Sequence, residues 1–322
     1  MAPSRVAVTA RLPGGAVERL RSAHEVRARE VDAPASRDEL LALVRGSDAV
    51  VTLLADCVDD ELLDAAGAQL RVVANVAVGY DNVDLPACAD RGVTVTNTPG
   101  VLTDATADLA FALALMVTRR LAEAEREVRT GVPWQWTMSH LLGTSVQGRT
   151  MGIVGPGAIG LATARRARAF GMSVLLSGRS APDPAVVAEL GARVVDLPAL
   201  LAESDVVSLH VPLTGVTRHL VAAEELRAMK RTAYVVNTSR GPVLDEQALV
   251  DALETGEIAG AGLDVYEDEP RVHPGLLRRD DVVLLPHVGS ATVETRSAMA
   301  DLAVDNVLAV LGGEAPLTPV GP

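Results

Sequence analysis

Residues 150–170, TMGIVGPGAIGLATARRARAF, narrow the choice of folds more than any other stretch of this chain. An apolar run stops at Gly155-Pro156-Gly157-Ala158-Ile159-Gly160. A helical pattern follows, with Ile159, Ala162, Ala167 and Phe170 at its apolar positions. A GxGxxG turn by itself says little. With a strand before it and a helix after it, the turn marks a dinucleotide-binding unit. Gly155 permits the tight turn, Gly157 lets backbone approach a pyrophosphate, and Gly160 lets helix and strand pack closely. The helix N-terminus offers free N–H groups and the positive end of its dipole to the phosphates.

The rest of the chain repeats this alternation. Strand-like runs lie at 5–10, 48–54, 70–74, 93–96, 150–154, 173–177, 205–209, 233–237, 258–264 and 281–285, with helical patterns between them. Continuous Val and Leu runs separated by helices predict parallel strands buried on both faces, hence a doubly wound α/β class. The 322 residues favour two domains at roughly 100–200 residues each. A long helical stretch at 101–130 separates two groups of strands, which suggests two sheets, with the NTPG turn at 97–100 as a crossing point. Aromatic residues make up only 2%, so Ala, Val and Leu must fill the cores.

Charge removes two classes of partner. The net charge of −13 repels nucleic acid and anionic membrane, both of which reward clustered Lys and Arg. No apolar run reaches the ~18 residues of a membrane span; LAFALALMV at 109–117 is flanked by Asp108 and Arg119-Arg120 and reads as a core helix. RVAVTA at 5–10 reads as a first strand rather than a signal peptide. Cys57 and Cys88 make neither a disulfide framework nor a metal spacing, so no metal is expected and a reducing cytoplasm fits.

About 20 residues beyond the glycine turn an NAD-binding loop carries an acidic residue for the ribose hydroxyls. Here the chain reads Ser177-Gly178-Arg179-Ser180. A carboxylate at 178 would repel a 2′-phosphate. Gly178 removes that repulsion, Arg179 supplies charge, and Ser177 and Ser180 can donate hydrogen bonds. The expected cofactor is NADP(H), with NAD(H) as the alternative.

Polar residues also close three later apolar runs: Arg240 after AYVVNTS, Glu269 in GLDVYEDEP, and His287 after VVLLP. Open α/β sheets bind ligands at such strand ends. Reducing a 2-oxo acid takes a hydride and a proton. A His is the natural proton donor, a carboxylate beside it favours the imidazolium, and an Arg fork grips the substrate carboxylate. A small-molecule 2-oxo or 2-hydroxy acid is the partner this chemistry implies.

These motifs together resemble the D-isomer-specific 2-hydroxyacid dehydrogenases over nearly the whole chain. The likeness rests on NVAVGYDNVD at 75–84, TPGVLTDATADLAFAL at 99–114, GIVGPGAIG at 152–160, LHVPLTGVTRHL at 209–220, MKRTAYVVNTSRG at 229–241, GLDVYEDEP and LPHVGSAT. Within the family it is strongest to the glyoxylate/hydroxypyruvate reductases. The resemblance implies catalytic roles for Arg240, Glu269 and His287. It implies substrate contacts at Leu54, Val78, Gly79, Trp136, Arg240 and Ser290. Cofactor contacts are implied at Thr106, Gly155, Gly157, Ala158, Ile159, Gly160, Ser177, Arg179, Ser180, His210, Pro212, Thr217, Thr238, Ser239, Asp264, His287 and Gly289. Pro156 and Ala158 depart from the residues the family often carries there.

The resemblance further implies a flavodoxin-like substrate domain of residues 1–98 plus 291–322. A Rossmann cofactor domain, 99–290, is inserted into it. A homodimer is expected, built on the 101–130 helix, with Trp136 supplied by the partner. A short phosphoglycerate dehydrogenase and a dinucleotide-sensing corepressor stay open as alternatives.

Overall fold

In the computed structural model, which describes residues 3–321, the Val-rich runs form parallel strands. The chain divides into two units. One runs to Leu102 and resumes at Ser290; the other is Thr103–Gly289.

The first unit holds β1 (Arg5–Val8), β2 (Glu25–Ala28), β3 (Ala49–Thr52), β4 (Val72–Asn75) and β5 (Thr94–Thr96). Their order is β2-β1-β3-β4-β5, all parallel, with Pro319–Val320 added antiparallel outside β5. That is the flavodoxin-like order. β3 and β4 are buried at every position, as strands covered on both faces must be. On one face Val6, Val8 and Val51 pack against Ala300, Val304 and Val307 of the helix Val293–Gly312. On the other, Val50 and Val73 meet Leu40, Leu62 and Leu63 of two helices.

The second unit holds β6 (Thr150–Val154), β7 (Ser173–Ser177), β8 (Arg193–Val194), β9 (Val206–Leu209), β10 (Tyr234–Asn237), β11 (Gly260–Leu263) and β12 (Val282–Leu284). All seven are parallel in the order β8-β7-β6-β9-β10-β11-β12. Counted from β6 this is 3-2-1-4-5-6-7, the dinucleotide-binding order, reversing direction between β6 and β9. The loops after β6, β9, β10, β11 and β12 therefore leave from one edge of the sheet. The doubly wound α/β class is as the sequence implies.

Besides the added strand Pro319–Val320, three elements differ from expectation. β2, with sequence EVRA, is an edge strand paired only with β1 and partly exposed along its length, so it has no continuous apolar run. β8 is a two-residue exposed edge. The 101–130 stretch is two helices, Thr103–Thr118 and Leu121–Arg129, joined through Arg120 at φ 53°. The Thr144 N–H takes the Thr118 carbonyl at 2.7 Å, removing an acceptor that a continuing helix would use. No residue of the second helix is buried, so packing does not hold the two in line.

Candidate active site and dinucleotide loop

The glycine turn between β6 and the helix Ala158–Ala169 carries each glycine for a separate reason. Gly155 sits at φ 92°, and a β-carbon there would lie 2.7 Å from the His210 carbonyl oxygen. One on Gly160 would lie 2.4 Å from the Gly155 carbonyl oxygen. Gly157 faces open space, with nothing within 4 Å of such an atom. The helix starts at Gly157 with no side-chain cap, so its first N–H groups stay available to an anion. The Thr238 hydroxyl after β10 is buried and has no hydrogen-bond partner among the described residues. An open glycine, uncapped amides and an orphaned hydroxyl at one sheet edge fit a dinucleotide.

Around that turn, His210 bonds Ser208 Oγ at 2.8 Å, and burial pushes its imidazole down to about 4, so it is neutral. Thr217 Oγ1 donates to the Pro212 carbonyl at 2.6 Å, closing the loop after β9. Ser177 ends β7 buried, and its carbonyl accepts from Gly155 N at 2.8 Å. Gly178, Arg179 and Ser180 are exposed. A β-carbon on Gly178 would lie 2.7 Å from Pro156 Cδ.

Glu269 and His287 meet at the far strand ends. His287 Nδ1 and Glu269 Oε2 are 2.8 Å apart, and the Tyr266 N–H donates to Glu269 Oε1 at 3.0 Å. Burial pushes the Glu269 carboxyl up. The hydrogen bond and charge of His287, the Tyr266 amide and the nearby Arg240 guanidinium outweigh it, holding the carboxyl below its usual range. With Oε1 held by the Tyr266 amide, Oε2 fixes the imidazole through Nδ1, which leaves Nε2 as the ring nitrogen able to exchange a proton.

His287 itself adopts φ 53°, a left-handed conformation that an ordinary side chain occupies only under constraint. Asp264 supplies the constraint. Its carbonyl accepts from His287 N, and its carboxylate accepts from Val288 N and Gly289 N, all at 2.8 Å. Asp264 is buried, and burial raises its pKa against those hydrogen bonds. Gly289 is needed beside it, since a β-carbon would lie 3.2 Å from Asp264 Oδ2 and 3.4 Å from Thr106 Cγ2.

Arg240 follows β10 on a turn held by Asn237. The Asn237 Oδ1 accepts from Ser239 N and Oγ, and its Nδ2 donates to the Arg240 carbonyl at 2.9 Å. Gly241 lets the turn touch the next loop: a β-carbon there would fall 1.8 Å from the Tyr266 carbonyl carbon. Glu246 and Glu267 add a reciprocal tie, each backbone N–H donating to the other's carboxylate at 2.8 and 2.6 Å.

Within the first unit, Leu54 follows β3 and the Val78-Gly79 pair follows β4. The carbonyls of Val78 and Gly79 are drawn inward by Asn97 Nδ2 at 2.8 Å and Asn75 Nδ2 at 3.0 Å. Their N–H groups donate to no group among the described residues. Ser290 opens the segment leading to the helix Val293–Gly312. Trp136 lies in the second unit, 78% exposed, on a segment without regular structure.

The structure thus joins Glu269 to His287, sets Arg240 within electrostatic reach, and groups the cofactor candidates along one edge of the second sheet. Sequence reasoning missed the asparagines Asn75, Asn97 and Asn237 and the tie between Glu246 and Glu267. Asn75 and Asn237 each end a Val-rich run and are buried, a pattern that is itself a signal. Among the described residues no cluster of His, Cys, Asp or Glu is placed to hold a metal, and no helix is long and apolar enough to cross a membrane.

The family described as D-isomer specific 2-hydroxyacid dehydrogenase, NAD binding domain, matches residues 111–289. A glyoxylate reductase of Thermococcus litoralis is 47% identical, over 97% of this chain and 95% of its own. The crystal structure of a glyoxylate reductase from Paecilomyes thermophila has a TM-score of 0.88 at 35% identity, covering 99% of each chain. That of an NADPH-dependent glyoxylate/hydroxypyruvate reductase from Sinorhizobium meliloti, in complex with NADP and malonate, has a TM-score of 0.83 at 38% identity. It covers 99% of this chain and 97% of that one.

Proposed function

This chain belongs to the D-isomer specific 2-hydroxyacid dehydrogenases, nicotinamide-dinucleotide-dependent oxidoreductases, and we propose that it reduces glyoxylate and hydroxypyruvate to D-2-hydroxy acids with NADPH. The observation that carries the reading is the 2.8 Å His287–Glu269 pair with the Arg240 charge beside it. When bound, the reduced nicotinamide supplies the hydride.

The chain's residues do the rest. Arg240 grips the substrate carboxylate and polarises the adjacent carbonyl. His287 delivers the proton from Nε2 to the carbonyl oxygen, while Glu269 stabilises the imidazolium through Nδ1. The likeness to glyoxylate reductases supports a small substrate. The first unit serves as the substrate domain and the second as the cofactor domain.

The residues that would hold the dinucleotide are the Gly155–Gly160 turn with Ala158 and Ile159, together with Thr106, His210, Pro212, Thr217, Thr238, Ser239, Asp264 and Gly289. Ser177, Arg179 and Ser180 take the 2′-phosphate. A charge-assisted hydrogen bond is worth roughly 1.5–3 kcal/mol, so NADPH should be preferred to NADH by about 10–100-fold. The NADP complex of the Sinorhizobium meliloti reductase supports this. A homodimer fits the exposed Trp134, Trp136 and Met138, at 58, 78 and 79% exposure, an apolar surface of the kind that marks an interface.

The test is kcat/KM for glyoxylate, hydroxypyruvate, pyruvate and bulkier 2-oxo acids with both cofactors, in wild type and Arg179→Ala. The reading expects the two small acids to lead and Arg179→Ala to raise KM for NADPH alone. Preference for a branched or aromatic acid, or for NADH, overturns the corresponding half.

A further inference from the structure

We propose that Pro156 is a cofactor-specificity residue: its ring occupies the space that any side chain at 178 would need, and so bars the acidic residue by which an NAD-selective loop would hold the ribose hydroxyls. The inference deepens the NADPH reading above and rests on it.

Three observations carry it. A β-carbon on Gly178 would lie 2.7 Å from Pro156 Cδ, closer than packed atoms tolerate, and a tight 3.3 Å from Cγ. Gly178 does not adopt the left-handed backbone that reserves a position for glycine, so the neighbouring ring, and not its own conformation, excludes a side chain. The ring is also fixed. Pro has no side-chain rotamer to turn away. On either side of it Gly155 N donates to the Ser177 carbonyl and Gly157 N to the Gly155 carbonyl, both at 2.8 Å.

Discrimination then has two parts. Arg179 attracts the 2′-phosphate, and Pro156 keeps out the group that would repel it. An Asp placed at 178 cannot act as a ribose partner while Pro156 remains. It must push the glycine turn off its position under the pyrophosphate, which harms both cofactors together.

The test is a double-mutant cycle on Gly178→Ala and Pro156→Ala, with a parallel pair carrying Gly178→Asp. The readouts are dissociation constants and kcat/KM for NADPH and NADH, with a melting temperature for each variant. Alanine carries no charge, so its arm tests the contact itself. Gly178→Ala is expected to weaken both cofactors by about tenfold or more with Pro156 present, and by less than about threefold on Pro156→Ala. Gly178→Asp with Pro156→Ala is expected to use NADH about tenfold better than Gly178→Asp alone. Should Gly178→Ala lower the melting temperature too far for binding work, recovery of that temperature by Pro156→Ala reports the same coupling.

Equal effects of Gly178→Ala in both backgrounds overturn the proposal. So does Gly178→Asp alone using NADH as well as the double variant. Wild type preferring NADH overturns the NADPH reading instead and leaves the alanine cycle to judge the contact.

Discussion

Glu269 shows how one residue's ionisation is settled by competition. Burial favours its neutral form, and His287, the Tyr266 amide and Arg240 together favour the carboxylate and win. The folded-state pKa lies below the unfolded one. The interaction therefore stabilises the fold above the unfolded value and is lost as acid carries the pH down through the folded value. Across neutral pH the negative charge stays beside His287. Glu269→Gln removes that charge. It is expected to cut kcat at neutral pH by about 10–100-fold with the NADPH dissociation constant little changed; a variant that keeps the wild-type kcat refutes the role. His287→Ala should lower kcat by about 10²–10⁴-fold while NADPH still binds, which a fluorescence titration checks. Arg240→Lys keeps the charge and loses the planar fork. A loss of roughly 100-fold in kcat/KM for the 2-oxo acid is expected, with the NADPH dissociation constant little changed. The residues proposed to do chemistry were legible because each is a polar type closing an apolar run. Those that hold them were not. Asn237 shows its purpose only when its amide is seen on the Ser239 and Arg240 backbone. Asp264 carries the same lesson, since its carboxylate answers to amides 24 and 25 residues away.

Between β10 and the loop after β11, two elements touch backbone to backbone at Gly241. That contact aligns the turn bearing Arg240 with the loop bearing Glu269. Gly241→Ala drives a β-carbon into the Tyr266 carbonyl, and no rotamer relieves a clash with main chain. Destabilisation of about 3 kcal/mol or more is expected, together with a fall in kcat. A melting curve within one or two degrees of wild type would show that the loops can part freely. Elements were legible in proportion to burial. Central strands such as AVVT at 49–52 and VVAN at 72–75 are wholly buried and read directly as apolar runs. The edge strand EVRA at 25–28 has one neighbour and partial exposure, so pattern alone does not expose it. The break at Arg120 has no Gly or Pro to announce it; it follows from Thr144 taking the Thr118 carbonyl, a partner far along the chain.

At the scale of the whole molecule, the helix Val293–Gly312 comes from the C-terminal end of the chain and buries Ala303, Val304, Val307 and Leu311 against a sheet made from its start. Burying each Val or Leu contributes roughly 1.5–3 kcal/mol, a large share of a typical domain stability of about 5–15 kcal/mol, so loss of this helix is expected to destabilise the first unit severely. The second unit lies wholly between the two halves of the first in sequence. During synthesis the order of folding is thereby set. The residues through Leu102 leave the ribosome before Thr103–Gly289, yet one face of their sheet has only the short helix Ala16–Arg21 over it while Thr103–Gly289 is made, an interval on the order of ten seconds at ~5–20 residues per second. The later-made unit is expected to close its own core first, while the older strands wait for the helix Val293–Gly312. A chain halted at Gly289 is accordingly expected to bind a hydrophobic dye and to lose its N-terminal hundred residues to protease, leaving a resistant fragment that begins near Thr103. A nascent chain of this protein thus carries, until Val293–Gly312 is made, a Val-lined surface of the sort that chaperones at the ribosome exit hold.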